Sequence, residues 1–145
     1  MTNSIHSSWV DSANGHSDFP HQNLSFGIFI PPGLPPRGGV AIGDEILDLS
    51  VVCEPGLLSG EALQAARVAS GTSLSACFAL GSGSRRSLRA AIMEILSANN
   101  RQITDLHSAS PLLHYKQRDC EMSLPAHIGD YTDFYCHERR ETFSP

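Results

Sequence analysis

The stretch GVAIGDEILDL, Gly39 to Leu49, constrains what this chain can fold into more than any other. Val40 and Ile42 alternate on one side of a Gly43–Asp44 pair, and Ile46 with Leu47 or Leu49 carries the other side. Two short β-prone runs around Gly–Asp predict a tight hairpin, since glycine supplies the positive φ of a primed turn. The run LSFGIFI, Leu24 to Ile30, is aromatic and β-branched and suits a further strand. Between them lies PPGLPPRGG, which can be neither helix nor central strand because its prolines lack backbone donors. Three short strands punctuated by Gly and Pro predict a mainly β domain, a small antiparallel barrel rather than a layered α/β fold.

From Ser59 the apolar period changes to helical spacing. SGEALQAARVA predicts a short helix, with Ser59 capping and Glu61 in the first turn. TSLSACFALG predicts another, with Thr72 or Ser73 as cap and Gly81 as terminator. SRRSLRAAIMEILSANN is the strongest helix, because Leu88, Ile92, Ile95 and Leu96 make one apolar stripe. Arg85, Arg86 and Arg89 stand at its positive end, a conflict that points to an anion, a partner carboxylate or, more plainly, solvated side chains. Beyond it, HSASPLLHYKQRDCEMSLPAHIG reads as loop with a short strand near Met122–Leu124. Ahead of the strands, residues 1–17 are Ser/Asn/His-rich with a lone Trp9 and read as a flexible leader, the barrel domain then covering 18–126.

A chain of 145 residues most simply makes one domain and buries roughly two-thirds of its unfolded surface. A net charge of −5 with a single lysine, Lys116, argues against a nucleic-acid partner, which calls for clustered cations. No apolar run is long enough to span a membrane, and the opening residues carry neither the basic start nor the apolar stretch of a signal peptide. Cys53, Cys77, Cys120 and Cys136 form no CxxC pair, so a structural zinc site is not expected. Two disulfides are possible by count, but without an export signal the expectation is four free thiols in a reducing cytoplasm.

The polar and aromatic residues concentrate in IGDYTDFYCHERRETFSP, Ile128 to Pro145. If the segment is extended, Asp133 and Tyr135 share one face with Tyr131, while Asp130 faces the other way. A carboxylate beside a phenol could bind a hard cation and orient an oxygen-rich ligand; equally, the Asp side chains could cap backbone amides in a loop. Cys136 and His137 are adjacent, so on a strand they point apart and cannot form a nucleophile–base dyad. His107, His114 and His127 lack metal-ligand spacing, and GSGS at Gly81–Ser84 lacks the lysine of a phosphate loop.

SDFPHQNLSFGIF (Ser17 to Phe29), GVAIGDEILDL and MSLPAHIGDYTDFY (Met122 to Tyr135) together resemble the fumarylacetoacetase family in order and approximate spacing, with LSACFALG fitting more loosely between them. The resemblance covers about residues 17 to 135. It implies an SH3-like β-barrel with helical insertions as an N-terminal domain, and residues 127–145 as a truncated start of a catalytic domain. It implies hydrolysis of the carbon–carbon bond of 4-fumarylacetoacetate to fumarate and acetoacetate in tyrosine and phenylalanine catabolism, by a homodimer holding Ca²⁺ or Mg²⁺. Asp133 matches a metal-ligand aspartate and Tyr135 a substrate-binding tyrosine. After Tyr135 the match stops: where the family continues roughly as SREHATNVG, this chain reads CHERRETFS, and Arg140 occupies the position of the general base. A guanidinium stays protonated and cannot take a proton from water, so the chain is expected to be inactive alone. An altered reading frame or mispredicted exon end would produce such a break, which translation of the DNA in the other two frames tests. The alternatives are a non-catalytic module docking on a full-length homologue and a related β-diketone hydrolase or decarboxylase.

Overall fold

The structure is a computed structural model describing residues 7–109 and 112–130, with only the helical backbone described at 107–109. The hairpin forms where the sequence places it. Strands β1 (Ser25–Ile30), β2 (Arg37–Ile42) and β3 (Glu45–Asp48) run antiparallel, with Val40 opposite Phe26 on one side and Leu47 on the other. Gly43 has φ +55° and no other residue of the turn leaves the ordinary region, the requirement of a type II′ turn. Two further strands complete the sheet. β4 (Leu113–Lys116) pairs with β3 and β5 (Glu121–Ser123) with β1, giving the order β4-β3-β2-β1-β5.

This is the small antiparallel β domain expected, but its sheet is not closed: among the described residues β4 and β5 are edges rather than neighbours. β5 lies where a strand was expected. β4 forms within a stretch that reads as loop, and a register shift between Ile46 and Leu47 interrupts its pairing with β3.

One face of the sheet is covered by α1 (Leu49–Val52), α2 (Gly60–Ala69), α3 (Ser75–Ala79) and α4 (Ser82–Leu96); α5 (Arg101–Ala109) follows. Ile28, Val40, Ile42 and Leu47 meet Leu88, Ile92, Ile95 and Leu96 in one core, the full stripe read from the α4 sequence. Each such fully buried aliphatic side chain contributes about 1.5–3 kcal/mol. α2 buries Ala62, Ala65, Ala66 and Ala69, small side chains that let it pack close to α4 and to the sheet. Gly38 marks that closeness: the Ala69 carbonyl occupies the space a Cβ would need. Leu74, not Ser73, stands at the N-cap of α3, with no side-chain cap bond; Ser73 Oγ, one residue earlier, accepts from Ser75 N at 3.1 Å. Gly81, expected to end α3 in a left-handed turn, has no positive φ and instead precedes the first turn of α4.

Residues 7–17 depart from the loose leader read from their composition. Val10 and Ala13 are buried in the core, and Ser8 is buried with them. The cause lies at the other end of α4, whose last carbonyls have no intrahelical donors. Ser8 Oγ donates to Leu96 O (2.6 Å) and Trp9 Nε1 to Ile95 O (2.7 Å). His21 Nε2 donates to Met93 O (2.8 Å) and Asn100 Nδ2 to Glu94 O (3.2 Å). Polar residues that suggested a solvated leader are the donors a helix C-terminus needs. The same segment reaches the hairpin: Asp44 N donates to Ser12 Oγ at 3.0 Å, and a Cβ on Gly43 would collide with the Ser12 and Ala13 backbone.

Candidate functional site

Asp133, Tyr135, Cys136, His137 and Arg140 lie outside the described residues. What the structure does place is the segment leading to them. β5 fixes Met122 opposite Phe29. Beyond it, Leu74 N donates to Pro125 O (2.6 Å) and His127 N to Ser75 Oγ (2.9 Å), so the N-terminal end of α3 guides the chain toward Asp130. Asp130 is exposed, as are His114 and His127. Among the described residues no three His, Cys, Asp or Glu side chains group so as to hold a metal ion. No helix there is long and apolar enough to cross a membrane.

Of the arginines at the start of α4, Arg86 is exposed, as the solvated reading has it, while Arg85 and Arg89 bond backbone carbonyls. Arg85 Nη1 donates to Phe78 O (2.6 Å) and Leu80 O (2.8 Å), capping the end of α3. Arg89 reaches back to Leu24 O (2.8 Å) and Gln22 O (3.3 Å), tying the entry of β1 to α4. The like-charge conflict with one helix end is offset by the carbonyls of two other segments. Arg85 and Arg89 are clamps, with carbonyl oxygens where an anion would lie. No sequence signal revealed the partners, which lie up to 67 positions away.

Cys53, Cys77 and Cys120 are free thiols. Burial pushes all three above the ordinary thiol range; Arg67 and Arg85 oppose it at Cys53 and Cys77, while Asp119 adds to it at Cys120. Burial thus favours the protonated thiol at all three positions.

A cleft of about 400 Å³ opens beside the hairpin turn and is lined by His16, Phe19, Asp44, Lys116, Gln117 and Arg118. His16 Nδ1 accepts from the amides of Asp18 (3.1 Å) and Phe19 (3.0 Å), and its Nε2 lies 3.6 Å from Asp44 Oδ1. Gln117 completes the arrangement, its amide donating to Asp44 O (2.9 Å) and its Nε2 to Gly43 O (2.7 Å). Three segments distant in sequence thus fasten one turn.

Residues 22–125 match the family model described as fumarylacetoacetase N-terminal. The chain belongs to the fumarylacetoacetase family. It is 43% identical over 121 residues to fumarylacetoacetase of Rattus norvegicus, an alignment covering 82% of this chain and 28% of the rat protein. Fumarylacetoacetase of Oryza sativa is 39% identical over 133 residues, covering 89% and 31%. That of Homo sapiens is 38% identical over 128 residues, covering 87% and 30%. The chain therefore spans about 30% of the length of the fumarylacetoacetases it matches. The matched region includes all five strands and α1–α5, while the clamp residues Ser8, Trp9, Ser12 and His21 lie ahead of it.

Proposed function

We propose that this chain is the opening portion of a fumarylacetoacetase: it builds the N-terminal domain and leads the first residues of a C–C bond hydrolase site into place. The family match over residues 22–125 carries this reading. In the longer protein the substrate is 4-fumarylacetoacetate, and the products are fumarate and acetoacetate.

A divalent cation, Ca²⁺ or Mg²⁺, belongs to this reading, and such an ion needs six to eight oxygen ligands or a near-octahedral set. The described residues do not fit it, since they bring no carboxylate cluster together. Asp133 is the ligand proposed in this chain, offering a carboxylate oxygen, and Tyr135 offers a phenol that orients substrate oxygens. Arg140 stays protonated and supplies no base. The free thiols at Cys53, Cys77 and Cys120 support a reducing, cytoplasmic setting.

Two preparations test the reading. The purified 145-residue chain, given Ca²⁺ or Mg²⁺, is expected to hydrolyse no fumarylacetoacetate above the buffer rate. Joined through residue 135 to the part of the rat enzyme that follows its matching share, the same domain is expected to support turnover. Hydrolysis by the chain alone, or a folded but inactive chimaera, contradicts it.

A further inference from the structure

Arg37, Arg85 and Arg89 are spent on Asp48 and on backbone carbonyls, but the cleft beside the hairpin turn keeps its charged ends free. Its walls are braced by other groups. Gln117 Nε2 donates to Gly43 O (2.7 Å), the Gln117 amide to Asp44 O (2.9 Å) and the Gly43 amide to Phe19 O (2.8 Å). The Asp44 amide donates to Ser12 Oγ (3.0 Å). None of these bonds uses the Asp44 carboxylate, the Lys116 ammonium or the Arg118 guanidinium, all of which line the cleft. The Asp44 side chain is 75% exposed and lies 3.6 Å from His16 Nε2, beyond hydrogen-bond range. Arg118 lies 3.7 Å from its neighbour Asp119, a surface contact of little worth. Lys116 stands opposite Glu45 in the β3–β4 ladder and makes no ion pair among the described residues. The rings of His16 and Phe19, with centroids 5.7 Å apart, form the remaining wall.

We propose that this cleft binds a small zwitterion, an α-amino acid with an apolar side chain. Its carboxylate meets Lys116 and Arg118, its ammonium meets Asp44, and its side chain lies against the rings of His16 and Phe19. Charge complementarity selects this class. A simple anion would face the Asp44 carboxylate in the same space, and a simple cation would face two bases. A ligand with both signs leaves neither end of the cleft uncompensated. The volume, about 400 Å³, falls in the range of small-molecule clefts. The bracing bonds hold the walls in place before a ligand arrives, so little ordering cost opposes binding. The site stands apart from the hydrolase reading, since every group in it lies between His16 and Arg118.

L-Leucine, 3-methylbutylamine and 4-methylpentanoate share one apolar frame and differ in the charged ends they carry. Each is titrated into the 145-residue chain at low ionic strength, and the amide resonances of Gly43, Asp44 and Gln117 are followed by NMR. Leucine is expected to saturate them with a Kd on the order of millimolar, and each analogue to bind about fivefold more weakly. Asp44→Asn is expected to weaken leucine by a similar factor and to leave 4-methylpentanoate no weaker. Lys116→Gln combined with Arg118→Gln should weaken leucine and 4-methylpentanoate and spare 3-methylbutylamine. The three side chains are exposed, and the analogue series decides without substitutions should a variant disturb the turn. Shifts that do not saturate, or that fall outside the cleft, overturn the site. If 4-methylpentanoate binds as tightly as leucine and Asp44→Asn tightens both, the cleft is an anion site and the amino-acid assignment is overturned. Equally tight binding of 3-methylbutylamine overturns it in favour of a cation.

Discussion

Arg37 Nη1 lies 3.2 Å from Oδ2 of Asp48, whose side chain is only 3% exposed. The other carboxylate oxygen accepts from Ser50 N (2.8 Å) and Ser50 Oγ (2.6 Å). One side chain therefore ends β3, caps α1 and holds the first residue of β2. Asp48→Ala removes the cap and leaves Arg37 without its partner, and is expected to cost about 2–4 kcal/mol. Asp48→Asn keeps an oxygen for the cap and is expected to cost less. Denaturant unfolding followed by circular dichroism measures both; an Ala variant within experimental error of the parent contradicts the account.

Gly43 and Gly33 both have positive φ, +55° and +70°, but their surroundings differ. A Cβ at Gly33 meets open space, whereas one at Gly43 meets the Ser12 and Ala13 backbone. Gly33→Ala is expected to cost about 1–2 kcal/mol, the left-handed penalty alone. Gly43→Ala adds overpacking of about 1–3 kcal/mol and is the more damaging of the two. Melting temperatures that rank the pair the other way contradict the clamp on the hairpin turn.

Deletion of residues 1–17 distinguishes a flexible leader from a packed one. Loss of Val10 burial and of the Ser8 and Trp9 hydrogen bonds to α4 is expected to cost about 3 kcal/mol or more. Trp9→Phe isolates the indole bond to Ile95 O and should cost about 1 kcal/mol. Unchanged unfolding midpoints in both variants would restore the reading as a loose leader.

Cys77 is buried, and burial raises its thiol above the ordinary range although Arg85 works against the shift. A folded-state value above the unfolded one contributes stability while the thiol is protonated, below about 8.5, and that contribution is lost as pH rises through the folded value. Alkylation of Cys77 in the native protein is expected to lag that of a free thiol across this alkaline window and to accelerate in denaturant. Equal native and unfolded rates contradict the burial.

The sequence made β1, the β2–β3 hairpin and the α4 stripe legible because each follows from a local period or a turn residue. Leu88, Ile92, Ile95 and Leu96 are buried together as their spacing requires. It hid what depends on distant partners. Arg89 bonds carbonyls at 22 and 24, and Trp9 bonds one at 95, pairings that no window of neighbouring residues contains. The open edges of the sheet were hidden for the same reason, since closure depends on whether two distant short strands meet. For the candidate site, the roles proposed for Asp133 and Tyr135 rest on residue type and family resemblance and lie outside the described residues, while the structure contributes the anchored approach through Pro125 and His127.

The chimaera carrying residues 1–135 allows the central claim, that Asp133 supplies an oxygen to a catalytic cation, to be measured in one variant. Turnover of fumarylacetoacetate and calorimetric Ca²⁺ binding are compared for the chimaera and its Asp133→Ala form. Both are expected to fall by about 100-fold or more, with the folded state intact by circular dichroism. An Asp133→Ala chimaera that binds Ca²⁺ and turns over substrate as its parent does would contradict it.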